Sequence, residues 1–131
     1  MASVGNQTLT NNEHVSVELK FPKTVLLSKS SKIEFFLTPT EGIHINTSPM
    51  VEFRLEKNSS FEIVGNPAFQ SNENGYLETD KPIEFTVKPK SGSHVGKKSL
   101  KGKLNYFYCS DKDGWCNRFT QPIDLTIEIS K

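Results

Sequence analysis

Along this chain apolar and polar positions alternate in one short run after another. HVSVELKF sets Val15, Val17, Leu19 and Phe21 against Ser16, Glu18 and Lys20. A period of two predicts a half-buried strand, because successive side chains of an extended backbone point to opposite faces. KIEFFLT and GIHIN follow, then VEFRLEK, in which Val51, Phe53 and Leu55 alternate with Glu52, Arg54 and Glu56, and then the shorter FEIV. In PIEFTVKP the inward set is Ile83, Phe85 and Val87, and Pro82 and Pro89 suit the strand's ends because proline donates nothing to a ladder. The last two runs are the longest. SLKGKLNYFYC sets Leu100, Leu104, Tyr106 and Tyr108 against Lys101, Lys103, Asn105 and Phe107. PIDLTIEIS sets Ile123, Leu125, Ile127 and Ile129 against Asp124, Thr126 and Glu128.

Turn formers separate the runs: Phe21-Pro22-Lys23, Ser28 to Ser31, Pro39 to Gly42, Asn58 to Ser60, Gly65 to Pro67 and Ser91 to Gly96. No window carries a helical stripe with start and stop signals. The pattern predicts an all-β chain, an immunoglobulin-like antiparallel β-sandwich of about eight or nine short strands. Residues 1–12 are small or polar and are expected to form a flexible N-terminal tail, leaving residues 13–131 as a single domain. Two connections are longer than the rest, Pro67 to Pro82 and Lys88 to Lys98.

Composition narrows the classes. With 131 residues the chain can bury one core, and 16 basic against 15 acidic residues imply neither a nucleic-acid nor a membrane-surface partner. No apolar run approaches the ~20 residues of a membrane span. The opening MASVGNQTLTNN reads as a trimmed mature protein with Met1 added, although a cytosolic protein would begin the same way. Both cysteines, Cys109 and Cys116, stand close together in YFYCSDKDGWCNRF, which fits an oxidising compartment such as the periplasm or cell exterior.

Three chemistries compete for that cysteine pair. As a staple it would close a ring of eight residues, removing roughly 2.5 kcal/mol of unfolded-state entropy, against about 4.5 for a ring of ~70. An immunoglobulin-type staple joins distant positions in two sheets, whereas this one would pin the base of one loop. A metal site is the weaker candidate. Zinc takes four ligands with closely spaced cysteines, and His14, His44 and His94 lie in separate segments, while Met1 and Met50 are not placed for a blue-copper cluster. No metal or other cofactor is expected. The third reading is a redox-active disulfide, which needs an accessible sulfur and a loop that tolerates both states. Gly114 and the polar loop residues allow that, and Trp115 offers an aromatic surface either for a partner or for packing of the loop.

A strand ending in aromatic-x-aromatic-Cys, then Asp111, Gly114-Trp115-Cys116 and a second alternating strand resembles the N-terminal domain of the thiol:disulfide interchange protein DsbD family. Upstream, KIEFFLTPTEGIHINTSP is similar to the family's strand and Gly segment, with Gly42, His44 and Asn46 at matching places, over roughly residues 32–129 in all. The resemblance implies an immunoglobulin-like periplasmic domain, excised from a membrane transporter or standing alone, that relays electrons between thioredoxin-like partners through transient mixed disulfides. It implies that Cys109 and Cys116 are the redox pair, with Cys116 forming the mixed disulfide and Cys109 resolving it. Trp115, Tyr76, His44 and Phe119 are then the residues expected to cap the disulfide or dock the partner, Tyr76 from the stretch NENGYL. A monomer acting as a protein-disulfide reductase component is expected. The rival is a secreted, non-catalytic binding sandwich whose disulfide is a minor staple.

Other signals are weaker. Sequons at Asn6, Asn46 and Asn58 are chance matches in a chain rich in Asn, Ser and Thr, and Lys97, Lys98, Lys101 and Lys103 read as a solvated strand end.

Overall fold

Each alternating run forms a strand in the computed structural model, which describes residues 4–131. Ten strands follow one another: β1 (Val4–Asn12), β2 (Val15–Pro22), β3 (Thr24–Leu26), β4 (Ser31–Pro39), β5 (Ile43–Ile45), β6 (Glu52–Leu55), β7 (Phe61–Ala68), β8 (Ile83–Pro89), β9 (Gly96–Ser110) and β10 (Cys116–Ser130). One sheet runs β1-β2-β4-β8-β7; the other runs β3-β10-β9-β5, with β6 also on the outer edge of β9. Pairing is antiparallel except where β3 lies parallel to β10. The fold is therefore the all-β, immunoglobulin-like sandwich that the alternation predicts.

The core lies between the sheets, where the apolar halves of the alternating runs meet. Val17, Leu19, Ile33, Phe35, Ile83 and Phe85 come from one side and Leu100, Leu104, Tyr106, Leu125 and Ile127 from the other, all buried. Phe35, Phe53 and Phe85 pack edge to face, with centroids 5.1 to 5.5 Å apart. Such pairs add to the burial of area because each ring's positive edge meets a negative face.

Two strands escape the periodicity. The expected tail over residues 1–12 is instead strand from Val4, pairing with β2 from Val4 opposite Pro22 to Asn12 opposite Val15; residues 1–3 lie outside the described residues. An edge strand needs backbone pairing more than apolar side chains, so its polar sequence hid it. Polar bonds also tie β1 to the other sheet: Asn12 Nδ2 donates to the Tyr106 hydroxyl at 3.0 Å, and Gln121 Nε2 donates to Asn11 Oδ1 at 2.7 Å. β3 is three residues long, too short to show a period, and buries only Val25.

Gly102 lets β6 reach β9. It stands opposite Leu55 on one side and Ile123 on the other, and a Cβ there would lie 2.3 Å from the Arg54 carbonyl oxygen. That oxygen belongs to the backbone and cannot swing aside. Gly102→Ala should force β6 away and cost about 2–3 kcal/mol, read as a lower urea midpoint with the slope retained. A midpoint equal to that of the wild type would show that β6 does not need this close approach.

Burial pushes the Tyr106 hydroxyl up to about 12, with the bond from Asn12 acting the other way. A raised pKa means that the unfolded chain, with the group near 10, loses its proton first. Stability from Tyr106 is thus complete below pH ~10 and is lost as pH climbs towards ~12. Tyr106→Phe should flatten this part of the alkaline decline in denaturation midpoint, and an unchanged decline would assign it to other groups.

Candidate functional site

The hairpin of β9 and β10 brings the two cysteines face to face. Cys116 stands opposite Cys109 in register, their Cα atoms are 4.0 Å apart, and the sulfurs form a disulfide. Alternation decides on which face it lies. Tyr106 and Tyr108 point into the core, so Cys109, one residue on, points outward. The bond therefore sits on the outer surface of its sheet, at the end of the hairpin, and does not join the two sheets. Its two halves differ in exposure: Cys109 is 7 % exposed, whereas Cys116 is open to solvent.

The covering of Cys109 comes from β5, which pairs with the end of β9 so that His44 lies opposite Cys109. His44, Cys109 and Cys116 thus form one row across three strands. Two residues on, the Asn46 backbone N–H donates to the Phe107 carbonyl at 2.9 Å, and its side-chain Nδ2 lies 3.3 Å from Cys109 Sγ. His44 is held from two sides. Its Nδ1 donates to the Asp111 carboxylate at 2.5 Å, and the Tyr76 ring stacks on its ring at 3.7 Å between centroids and 13° between planes. A carboxylate only accepts, so Nδ1 carries the proton of this bond. Because Asp111 is largely exposed, this pair contributes orientation more than stability.

Tyr76 reaches the site through the long connection between β7 and β8. The NENG stretch folds as a tight turn: Asn72 Oδ1 accepts from the backbone N–H groups of Asn74 at 2.9 Å and Tyr76 at 3.1 Å, and Gly75 takes a left-handed φ of 80°. Asn and Gly suit this geometry, the first by bonding its own backbone and the second by lacking a Cβ. The returning chain then pairs with β5, where Tyr76 bridges Asn46 and the Leu77 N–H donates to the Ile45 carbonyl at 2.9 Å. On the other side, the cysteine loop closes on itself through Ser110 N–H to Trp115 O at 2.8 Å and Gly114 N–H to Ser110 O at 3.0 Å, and on β5's lead-in through Asp111 N–H to Gly42 O at 2.8 Å. Between these walls lies an open cleft of about 490 Å³, lined by polar and apolar surface alike, that reaches Cys109 and Cys116.

The structure thus brings Cys109, Cys116, His44 and Tyr76 together and sets Trp115 and Phe119 elsewhere. Trp115 is half-buried, with its ring against His14 at 5.1 Å and edge-on to Tyr108 at 5.8 Å. Phe119 packs beside Tyr106 at 5.9 Å, on the core side of the sheet. Neither covers the disulfide. Asn46 and Asp111, both within the stretches that carry the resemblance, complete the site, and strand pairing sets their contacts with Cys109 and His44. Among the described residues no group of three or more His, Cys, Asp or Glu side chains is arranged to hold a metal ion.

No protein-family model matches the chain, and no curated protein matches it significantly. Among solved structures it is similar to the yeast GGA1 GAE domain, with a TM-score of 0.48 and 13 % identity over 91 % of this chain and 98 % of that one. So distant a likeness carries no argument about function.

The anchoring of Trp115 one residue from Cys116 yields a direct readout. Trp115 is the single tryptophan, so reduction of the disulfide should raise its emission as a neighbouring quencher is removed. A spectrum identical in both redox states would mean that the bond and the indole are insulated from each other.

Proposed function

We propose that the chain is a thiol–disulfide exchange domain of an oxidising compartment such as the periplasm, relaying electrons between thioredoxin-fold partners through Cys109–Cys116. The observation that carries this reading is the asymmetry of the bond. It lies on an outer face beside a cleft, with the residue Cys116 exposed and Cys109 nearly buried. Exchange requires a thiolate to approach one sulfur along the S–S axis while the other leaves. Cys116 is the sulfur that an approaching partner meets, and Cys109 is the one that leaves and later resolves the mixed disulfide. The resemblance to the DsbD N-terminal domain assigns the same roles. The staple reading gains little from this geometry, because the bond links residues that a long hairpin already pairs.

Equilibration against glutathione or dithiothreitol buffers measures the potential. A value around −200 to −270 mV is expected for an exchange-active pair, and one below about −300 mV would return the disulfide to the structural class and the chain to the binding-domain reading. The division of labour has its own test. Cys109→Ala should trap a thioredoxin-fold partner through the exposed Cys116 far more readily than Cys116→Ala traps it through Cys109. Equal trapping would remove the distinction between the two sulfurs.

A further inference from the structure

Resting on the exchange reading above, we infer that Asn46 is a catalytic residue of that chemistry: its side-chain amide stabilises the thiolate that Cys109 becomes when a partner attacks Cys116.

The geometry supplies a donor at the sulfur that carries the new charge. Asn46 Nδ2 lies 3.3 Å from Cys109 Sγ, within reach of a hydrogen bond to sulfur, and Asn46 Oδ1 lies 3.6 Å from the same atom. A disulfide sulfur has no hydrogen, so in the oxidised state only the Nδ2 contact can be a hydrogen bond. In the reduced state Oδ1 is positioned to accept from a Cys109 thiol. One amide thus offers a donor to the sulfur or its thiolate and an acceptor to the thiol. Two neighbouring polar groups of the cleft are engaged elsewhere, His44 turning its Nδ1 to Asp111 and Thr47 Oγ1 donating to the Gly75 carbonyl.

The step balances without any further reagent. A partner thiolate donates an electron pair to Cys116 Sγ, and the bond between the two proteins forms. The Cys109–Cys116 bond breaks with its electron pair leaving on Cys109 Sγ. The partner sulfur is oxidised and Cys109 is reduced, while Cys116 passes from one disulfide to another. The thiolate appears on Cys109, a residue 7 % exposed, where a fixed donor matters more than at the open surface. The amide is in place before the charge develops. The Asn46 backbone is held by its bond to Phe107 and by its bridge to Tyr76, so the side chain extends to Cys109 from a fixed point.

The experiment compares wild type, Asn46→Ala and Asn46→Asp for the rate at which glutathione opens the disulfide. It also compares the pH at which the Cys109 thiolate appears, by ultraviolet absorbance, in a Cys116→Ala background. Every substitution keeps the residue 46 backbone N–H that pairs with Phe107, and a circular dichroism melt confirms that each variant is folded. Loss of a hydrogen bond to a charged group should slow opening roughly tenfold in Asn46→Ala. Asn46→Asp, of the same shape but carrying a negative charge, should be slower still at neutral pH. In both variants the thiolate should appear at higher pH than with Asn46. A wild-type disulfide that exchanges while Asn46→Ala exchanges as fast, or with an unmoved thiolate titration, overturns the role of Asn46 and leaves the exchange reading standing. A wild-type disulfide that resists glutathione altogether overturns the exchange reading, and the role of Asn46 with it.

Discussion

Everything in this molecule hangs on the antiparallel pairing of β9 and β10, which holds without a bulge from Cys116 opposite Cys109 to Ile129 opposite Gly96. A register shift of one residue in such a ladder turns every side chain to the opposite face. Here the register is locked by the inward set Leu100, Leu104, Tyr106, Ile123, Leu125 and Ile127, which a slip would expose to water. The same register puts the two cysteines opposite each other and outside. The apolar core therefore dictates where the disulfide lies, although the cysteines contribute little to that core.

The other elements of this sheet dock on the same pair. β3 continues the sheet beyond β10, and β5 and β6 share the far edge of β9 in sequence, β6 made possible by the missing side chain at Gly102. Where β5 lies beside the end of β9, it lays His44 and Asn46 against Cys109 and leaves Cys116 uncovered on the other strand. The asymmetry of the disulfide is thus a consequence of sheet order. One cysteine is on an interior strand flanked by β5 and β10, and the other sits at the hairpin end of β10, past the parallel β3 pairing that covers only Glu128 to Ser130.

Polar side chains perform two distinct tasks. Between the sheets, Asn12 and Gln121 join β1 to the opposite sheet through their amide nitrogens, although Gln121 Oε1 is buried without a partner. On the outer face, Asp111, His44, Tyr76 and Asn46 form a layered wall whose members hold one another's orientation. Three separate segments contribute to that wall: the cysteine loop, β5 and the NENG turn. It is assembled by pairing on the edges of β9 and β5, and nothing in its residues' spacing along the chain links them.

The sequence by itself determined the strands that bury a face, the sandwich class and the cysteine pair, because alternation, turn residues and spacing are local properties that sum over neighbouring residues. It concealed β1 and β3, one polar and one short, since backbone pairing at an edge leaves no apolar period. His44 and Tyr76 were legible as members of the cysteine site only through a family resemblance, and Trp115 and Phe119, beside or near the cysteines in sequence, belong to the packed side of the sheet. Asn46 stood out in no pattern as a ligand of sulfur. Which sulfur is shielded, which ring faces it and which amide donates to it were decided only by tertiary structure. Those are relations between strands distant in sequence, and they exist only once pairing sets the register and the core chooses the face.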